Sequence, residues 1–141
     1  MVSVYQSLAA LCRQYEIDIL YVFGSRAKET KQMVDENWSA MPQSISDVDI
    51  GIKPSKKVKL SIRQKVKLAQ DLEELFGVPR IDLVILTDAT PFLAANIIRG
   101  ERLYANNEYL ADEYDLYILR RAGDLAHFER ERLSIILDNP Q

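Results

Sequence analysis

Cysteine, histidine and tryptophan occur once each in the 141 residues, and glycine and proline only five times each. The lone Cys12 has no partner within the chain, which excludes an internal disulfide scaffold and fits a reducing compartment. So few glycines and prolines exclude a collagenous or low-complexity chain. No apolar stretch is long enough to cross a bilayer. The N-terminus shows no basic cluster followed by an apolar run, so no secretory signal is expected and the expected address is the cytoplasm, without membrane contact. The net charge of −3 argues against broad, non-specific binding to nucleic acid, which relies on basic surface. What remains is ordinary globular material, 48% hydrophobic and 28% charged. Its length suits one compact domain over 1–141.

The apolar pattern predicts alternating helices and strands. Val4, Leu8, Leu11, Cys12 and Tyr15 recur at helical spacing over residues 3–16. Residues 17–23 are rich in β-branched and aromatic types and read as a buried strand ending at Gly24-Ser25-Arg26-Ala27-Lys28, where a turn passes into a short helix. Residues 31–46 show no steady period and read as a loop. From Asp47 to Lys53 the pattern alternates strictly, with Val48, Ile50 and Ile52 opposite Asp47, Asp49 and Gly51. A helix is expected over 58–76, with a stripe of Val58, Ile62, Val66, Ala69, Leu72 and Phe76, stopped by Gly77 and Pro79. A third strand over 80–86 sets Ile81, Leu83 and Ile85 against Asp82, Val84 and Leu86. Thr90 and Pro91 open a short helix that Arg99-Gly100 ends, and Arg102-Leu103-Tyr104 reads as an edge strand. Residues 107–137 form a long helix, with Leu110, Tyr114, Tyr117, Ile118, Ala122, Leu125, Leu133 and Ile136 at near-helical intervals and Gly123 at a bend or close contact. The whole is α/β, one sheet backed by helices.

Chemistry concentrates on two of these strands. Asp47 and Asp49 share one face of a strand whose register is locked by the apolar residues opposite. Like charges so placed repel unless protonated or neutralised, and a divalent cation such as Mg²⁺ resolves the repulsion. Asp82 interrupts the next strand in the same way; if the strands are neighbours, three carboxylates converge, as a two-metal phosphoryl-transfer site requires. The strand-to-helix turn at Gly24-Ser25 supplies the complementary half. Backbone N–H groups there point at any anion, glycine admits close approach, and the Ser25 hydroxyl donates a further hydrogen bond. Arg26 and Lys28 add charge or are simply exposed helix residues. No Gly-rich loop ending in Gly-Lys-Ser/Thr is present, so a Walker-type NTPase has no support.

In Tyr21-Val-Phe-Gly-Ser-Arg-Ala-Lys28, Ser46-Asp-Val-Asp-Ile-Gly-Ile52 and Arg80-Ile-Asp-Leu-Val-Ile-Leu86 the chain resembles the minimal nucleotidyltransferases of the DNA polymerase β superfamily. The likeness covers roughly residues 1–105, the expected catalytic core. It implies a polymerase β-like fold, a small mixed sheet backed by helices, here with a long C-terminal helix. It further implies ATP as substrate, Gly24, Ser25 and Arg26 at the nucleotide, Asp47, Asp49 and Asp82 holding Mg²⁺ (two ions), and Asp82 as base toward the incoming hydroxyl. By its small size the chain is similar, more narrowly, to the antitoxin of HEPN/MNT toxin–antitoxin pairs. That likeness implies transfer of AMP to a tyrosine hydroxyl of a partner HEPN ribonuclease, with which it forms a hetero-oligomer, and no direct contact with nucleic acid. Two other readings stand beside it: a transferase acting on a small molecule such as an aminoglycoside, and an antitoxin that acts by binding alone.

Several features stay outside those motifs. Between Ser25 and Asp47 lie 21 residues, where the family linker is about half as long. The excess, Lys31 to Ser46 with Trp38, Met41 and Pro42, reads either as a flap or partner-binding loop or as a surface insertion with Trp38 tucked onto the domain. The basic run Lys53, Lys56, Lys57, Lys59, Arg63, Lys65 and Lys67 reads as a steering patch or a solvated helix face. Cys12 reads as an inert core thiol, His127 as a helix residue without a chemical role, and Tyr104, Tyr109, Tyr114 and Tyr117 mainly as core.

Overall fold

The computed structural model describes residues 2–138. The expected unit of 1–141 also includes Met1 and 139–141, which lie outside the described residues. Helix α1 (Val4–Gln14) opens with a capping box. The Ser3 hydroxyl accepts from the Gln6 N–H, and the Gln6 side chain accepts from the Ser3 N–H. Its stripe of Leu8, Ala9 and Cys12 is buried. Strand β1 (Ile17–Phe23) follows, buried along nearly its whole length, and a single 3₁₀ turn (Gly24–Arg26) leads into α2 (Ala27–Glu36).

Here the structure corrects the expectation of a loop from residue 31. Ala27, Thr30, Met33 and Val34 form a buried stripe that carries the helix on to Glu36. Asn37 then ends it in the left-handed conformation, and the Trp38 N–H closes back onto the Met33 carbonyl at 3.0 Å. Charged residues on the solvent side of α2 mask this period in the sequence. The actual loop, 37–47, is therefore shorter than expected. It brings a half-buried Trp38 and a buried Met41 against the core, so Trp38 is tucked in, while residues 42–46 stay exposed.

Strand β2 (Val48–Pro54), helix α3 (Ile62–Phe76), strand β3 (Ile81–Ile85), helix α4 (Pro91–Ile98), strand β4 (Glu101–Ala105) and helix α5 (Glu108–Asp138) complete the order. The four strands lie in the order β3-β2-β1-β4, with β1 antiparallel to both its neighbours and β2 parallel to β3. This is a mixed sheet, with β4 at one edge as expected. Alternation divides the core in two. Val48, Ile50, Ile52 and Ile81 join the cluster made by α1, α2 and α3, whereas Ile19, Tyr21 and Phe23 join Ala94, Ala95 and Ile97 of α4 and Ala111, Ile118 and Ala122 of α5. Helices thus cover both faces.

Two apolar stripes differ from expectation. Helix α3 starts at the Ser61–Gln64 capping box, three residues after Val58, and buries Leu68, Leu72 and Phe76. Ile62 and Val66 are 80% and 52% exposed. The expected stripe mixed two rows of the helix, and only the row at four-residue spacing faces the sheet. In α5 burial stops at Ala122; Leu125 is partly exposed, and Phe128, Leu133 and Ile136 lie largely in solvent. Gly123 meets no atom within 4 Å at the position of a Cβ, so a close contact is not its reason. The start of α5 is pinned instead by Arg102, which bridges Glu108, Asp112 and Asp115 at 3.0, 2.7 and 3.3 Å, while Tyr21 donates to Asp115. No described helix is long and apolar enough to cross a membrane.

Candidate active site

The end of β1 builds the first wall. Gly24 has φ +78°, a conformation that side chains resist. A Cβ placed on Gly24 would strike Oδ2 of Asp49, so the absence of a side chain lets the turn and the carboxylate meet. Ser25 is exposed beside it. Arg26 is neither an exposed helix residue nor turned toward an anion at the turn. It is 5% exposed, and its guanidinium donates to Glu29 at 2.5 Å and to the carbonyls of Pro42 and Ser46 at 2.6 and 3.4 Å. Arg26 thus ties the turn to the loop that delivers Asp47.

The parallel pairing of β2 and β3 sets Asp49 directly beside Asp82, and the pairing of β1 and β2 sets Asp49 beside Phe23. Val48 and Ile50 on one strand and Ile81 and Leu83 on the other point into the opposite core, so neither strand can turn its acid to the other face without unburying those neighbours. Asp47 stands one residue before β2. Burial first, and then the charges of Asp82 and Asp47, hold the Asp49 carboxyl above the usual range for an aspartate. A missing positive charge is therefore written into the site.

Arg80, 70% exposed, answers part of it: Nε lies 3.6 Å from Asp47 Oδ2 and Nη2 lies 3.6 Å from Asp82 Oδ1. The sequence pattern placed Arg80 only at the start of a strand; its role as a bridge needs the pairing of β2 with β3 to be known. Among the described residues no three His, Cys, Asp or Glu side chains are gathered closely enough to hold a metal ion. The donor set nevertheless fits a hard cation in kind: three carboxylates on one sheet end, all oxygen, with an electrostatic need for positive charge.

On the other side of the turn a cleft of about 450 Å³ is lined by Gly24, Ser25, Ala27, Lys28, Asn96, Arg99, Gly100 and Glu101. The α4–β4 residues in that wall carried no signal in the sequence beyond a helix stop. The basic run is elsewhere. Lys53 closes the far end of β2, where it pairs with Asp18 at 3.1 Å and lies over the Tyr114 ring, some 20 Å from Asp47 at the strand's rise per residue. Burial pushes the Cys12 thiol up to about 12, an inert core group as expected. His127 is exposed and paired with Glu131. Of the tyrosines Tyr104 is buried and Tyr114 half-buried, but Tyr109 and Tyr117 face solvent.

Solved structures of similar architecture run the length of the chain. A toxin–antitoxin complex with AMP-PNP aligns with a TM-score of 0.62 and 21% identity, covering 97% of this chain and 98% of that one. A complex of a tri-AMPylated HEPN toxin with its MNT antitoxin, from Shewanella oneidensis, aligns with a TM-score of 0.59 and 20% identity over 98% and 97%. The toxin–antitoxin MntA–HepT aligns with 0.59 and 19% over 98% and 97%. At these identities the likeness is one of fold. No curated protein sequence matches the chain. The polymerase beta nucleotidyltransferase family matches residues 6–109, which span the turn, both acidic strands and β4; the chain belongs to that family.

Proposed function

We propose that this chain is an antitoxin that moves AMP from ATP onto a tyrosine hydroxyl of a partner HEPN ribonuclease, and so silences it. The observation that carries the reading is the juxtaposition of Asp49 with Asp82 on parallel neighbours, directly against the Gly24 turn. An anion-accepting turn beside a cluster of acids suits a reaction that joins a triphosphate to a divalent cation. The fold shared with antitoxins bound to HEPN toxins, one of those toxins tri-AMPylated and one complex holding AMP-PNP, supports the choice of substrate and partner.

In this reading the catalytic core is residues 1–105 of a single domain. Asp47, Asp49 and Asp82 would hold Mg²⁺, two ions in all, which when bound neutralises charge on the phosphates. Gly24 and the Ser25 hydroxyl take the phosphate oxygens. Arg26 acts through the loop it ties down, not by touching the nucleotide. Asp82 accepts the proton of the incoming hydroxyl, whose oxygen bonds to the α-phosphorus as the bond to the bridging oxygen breaks and pyrophosphate leaves.

A second reading, an antitoxin that works by binding alone, is favoured by one observation: Arg80 already bridges Asp47 and Asp82. One experiment separates the two. The chain is incubated with ATP labelled in its α-phosphate, Mg²⁺ and the product of the adjacent gene. Label on the partner, lost in Asp47→Ala and Asp49→Ala together with neutralisation of the toxin, is expected of the enzyme. Full neutralisation by both variants establishes the binding reading instead.

A further inference from the structure

We infer that α5, where it outruns the body of the protein, is a dimerisation arm: residues 123–138 pair antiparallel with the same segment of a second copy of this chain. The inference stands apart from the chemistry proposed at the Gly24 turn, and neither needs the other.

The face comes first. Inside the body α5 buries Ala111, Ile118 and Ala122 against α4 and β1. The alternation of four- and three-residue steps that begins at Ile118 and Ala122 continues beyond the body as Leu125, Glu129, Arg132 and Ile136. Phe128 and Ile135 flank this row and are 72% and 66% exposed. The outer side of the same segment is polar, and His127 pairs there with Glu131 at 3.2 Å. An amphipathic arm about 24 Å long therefore prolongs a core-forming face past the last residue of the body that it packs on. Exposed apolar surface gathered on one side of a helix marks an interaction site.

Symmetry within the segment chooses the occupant. Reversed about the point between Arg130 and Glu131, the midpoint of 123–138, the row sets Leu125 opposite Ile136 and Glu129 opposite Arg132. Phe128 then comes beside Ile135 on the flank. Apolar residues meet apolar ones and each charge meets its opposite, twice over, as an isologous two-fold interface requires. A parallel pair would set Glu129 on Glu129 and Arg132 on Arg132, and like charges so placed repel. A foreign helix gives this segment no reason to match its own reverse. Within each chain Arg132 already bridges Glu129 at 3.2 Å, with both side chains exposed. In the pair the two bridges become one cluster of four charges at the centre of the seam, where polar residues fix register and direction at some cost in affinity. A seam about 24 Å long and one helix wide, about 10 Å, covers far less than the roughly 1,600 Å² of a standard stable complex. The dimer is therefore one that forms and dissociates with concentration.

The test is sedimentation velocity of the full chain from low to high micromolar concentration. Wild type is expected to pass from monomer to dimer across that range. Glu129→Arg and Arg132→Glu each set like charges together twice, and each is expected to raise the dissociation constant roughly a hundredfold. The two reversals combined in one chain restore the dimer, which separates pairing from a folding defect. A wild type that stays monomeric, single reversals that dimerise as wild type does, or a double variant that stays monomeric each overturns the pair. A monomeric wild type whose complex with the adjacent gene's product is lost on Phe128→Asp gives the face to that partner instead.

Discussion

Two glycines share one backbone state but not one duty, and this makes a sharp experiment. Gly24 and Gly77 have φ +78° and +67°. Alanine at either pays the left-handed penalty of roughly 1–2 kcal/mol. They part in what the new methyl would meet. At Gly24 it meets the tip of the Asp49 side chain, which can swing aside at little energetic cost. At Gly77 it lies 2.7 Å from the Ala40 Cβ and 3.4 Å from the Ala40 Cα, next to the backbone whose Met41 N–H bonds the Phe76 carbonyl at 2.9 Å. That backbone cannot swing, and overpacking there adds roughly 1–3 kcal/mol. Gly24→Ala is therefore the milder lesion for stability, with a melting temperature roughly 3 to 8 °C below wild type, and Gly77→Ala the larger. For the proposed AMP transfer the order reverses. Displacing a reacting-site carboxylate by about an ångström costs on the order of a hundredfold, so Gly24→Ala is expected to transfer AMP at about a hundredth of the wild-type rate or less. Gly77→Ala, assayed below its melting point, keeps wild-type transfer. Thermal unfolding by circular dichroism and transfer from labelled ATP to the partner measure the two quantities. Equal activity in the two variants refutes the claim that the turn exists to admit Asp49.

Two further outcomes follow from packing and charge. Leu72→Ala, at a fully buried position of α3, is expected to cost about 2–5 kcal/mol, and Ile62→Ala, 80% exposed, no more than about 0.5 kcal/mol; denaturant midpoints decide, and similar losses would show that the helix buries its other row. Asp49→Asn bears on pH. Because the folded carboxyl is raised, ionising it disfavours the fold: the penalty is absent below the unfolded value of about 3.9 and complete once pH exceeds the raised value. The asparagine variant should therefore melt higher than wild type at pH 7 without added metal, with no gain at pH 3; a gain independent of pH contradicts the assigned cause.

The degree to which each element was legible tracks how local its cause is. Strand β2 was readable because alternation over Val48–Ile52 is a property of five consecutive residues. The start of α4 was readable because Thr90 caps and Pro91 fills the first turn. The capping box at Ser61 was equally local and marks the true start of α3, yet the apolar Val58 and Ile62 drew the helix too early. The length of α2 was obscured because only four of its residues face the core, and the exposed ones carry charge and no period. For α5 periodicity could not tell a stripe that is covered from one that outruns the body of the protein, since the pattern records which residues are apolar and not whether anything lies opposite.

The sequence by itself determined which groups stand at the Gly24 turn and on the two acidic strands, and which way they face. A carboxylate on a strand with an apolar opposite face has only one direction to point, whatever surrounds it. Only the tertiary structure decided what those groups meet. The parallel pairing of β2 with β3 brings Asp82 beside Asp49, Arg80 bridges two acids from another strand's start, and Arg26 turns away from the turn into its supporting loop. The approach of Gly100 to β1 makes Arg99 a neighbour of Ser25 across some seventy residues of chain, at about the length of half a domain. Contacts of that kind depend on strand order and backbone proximity, and no local period encodes either.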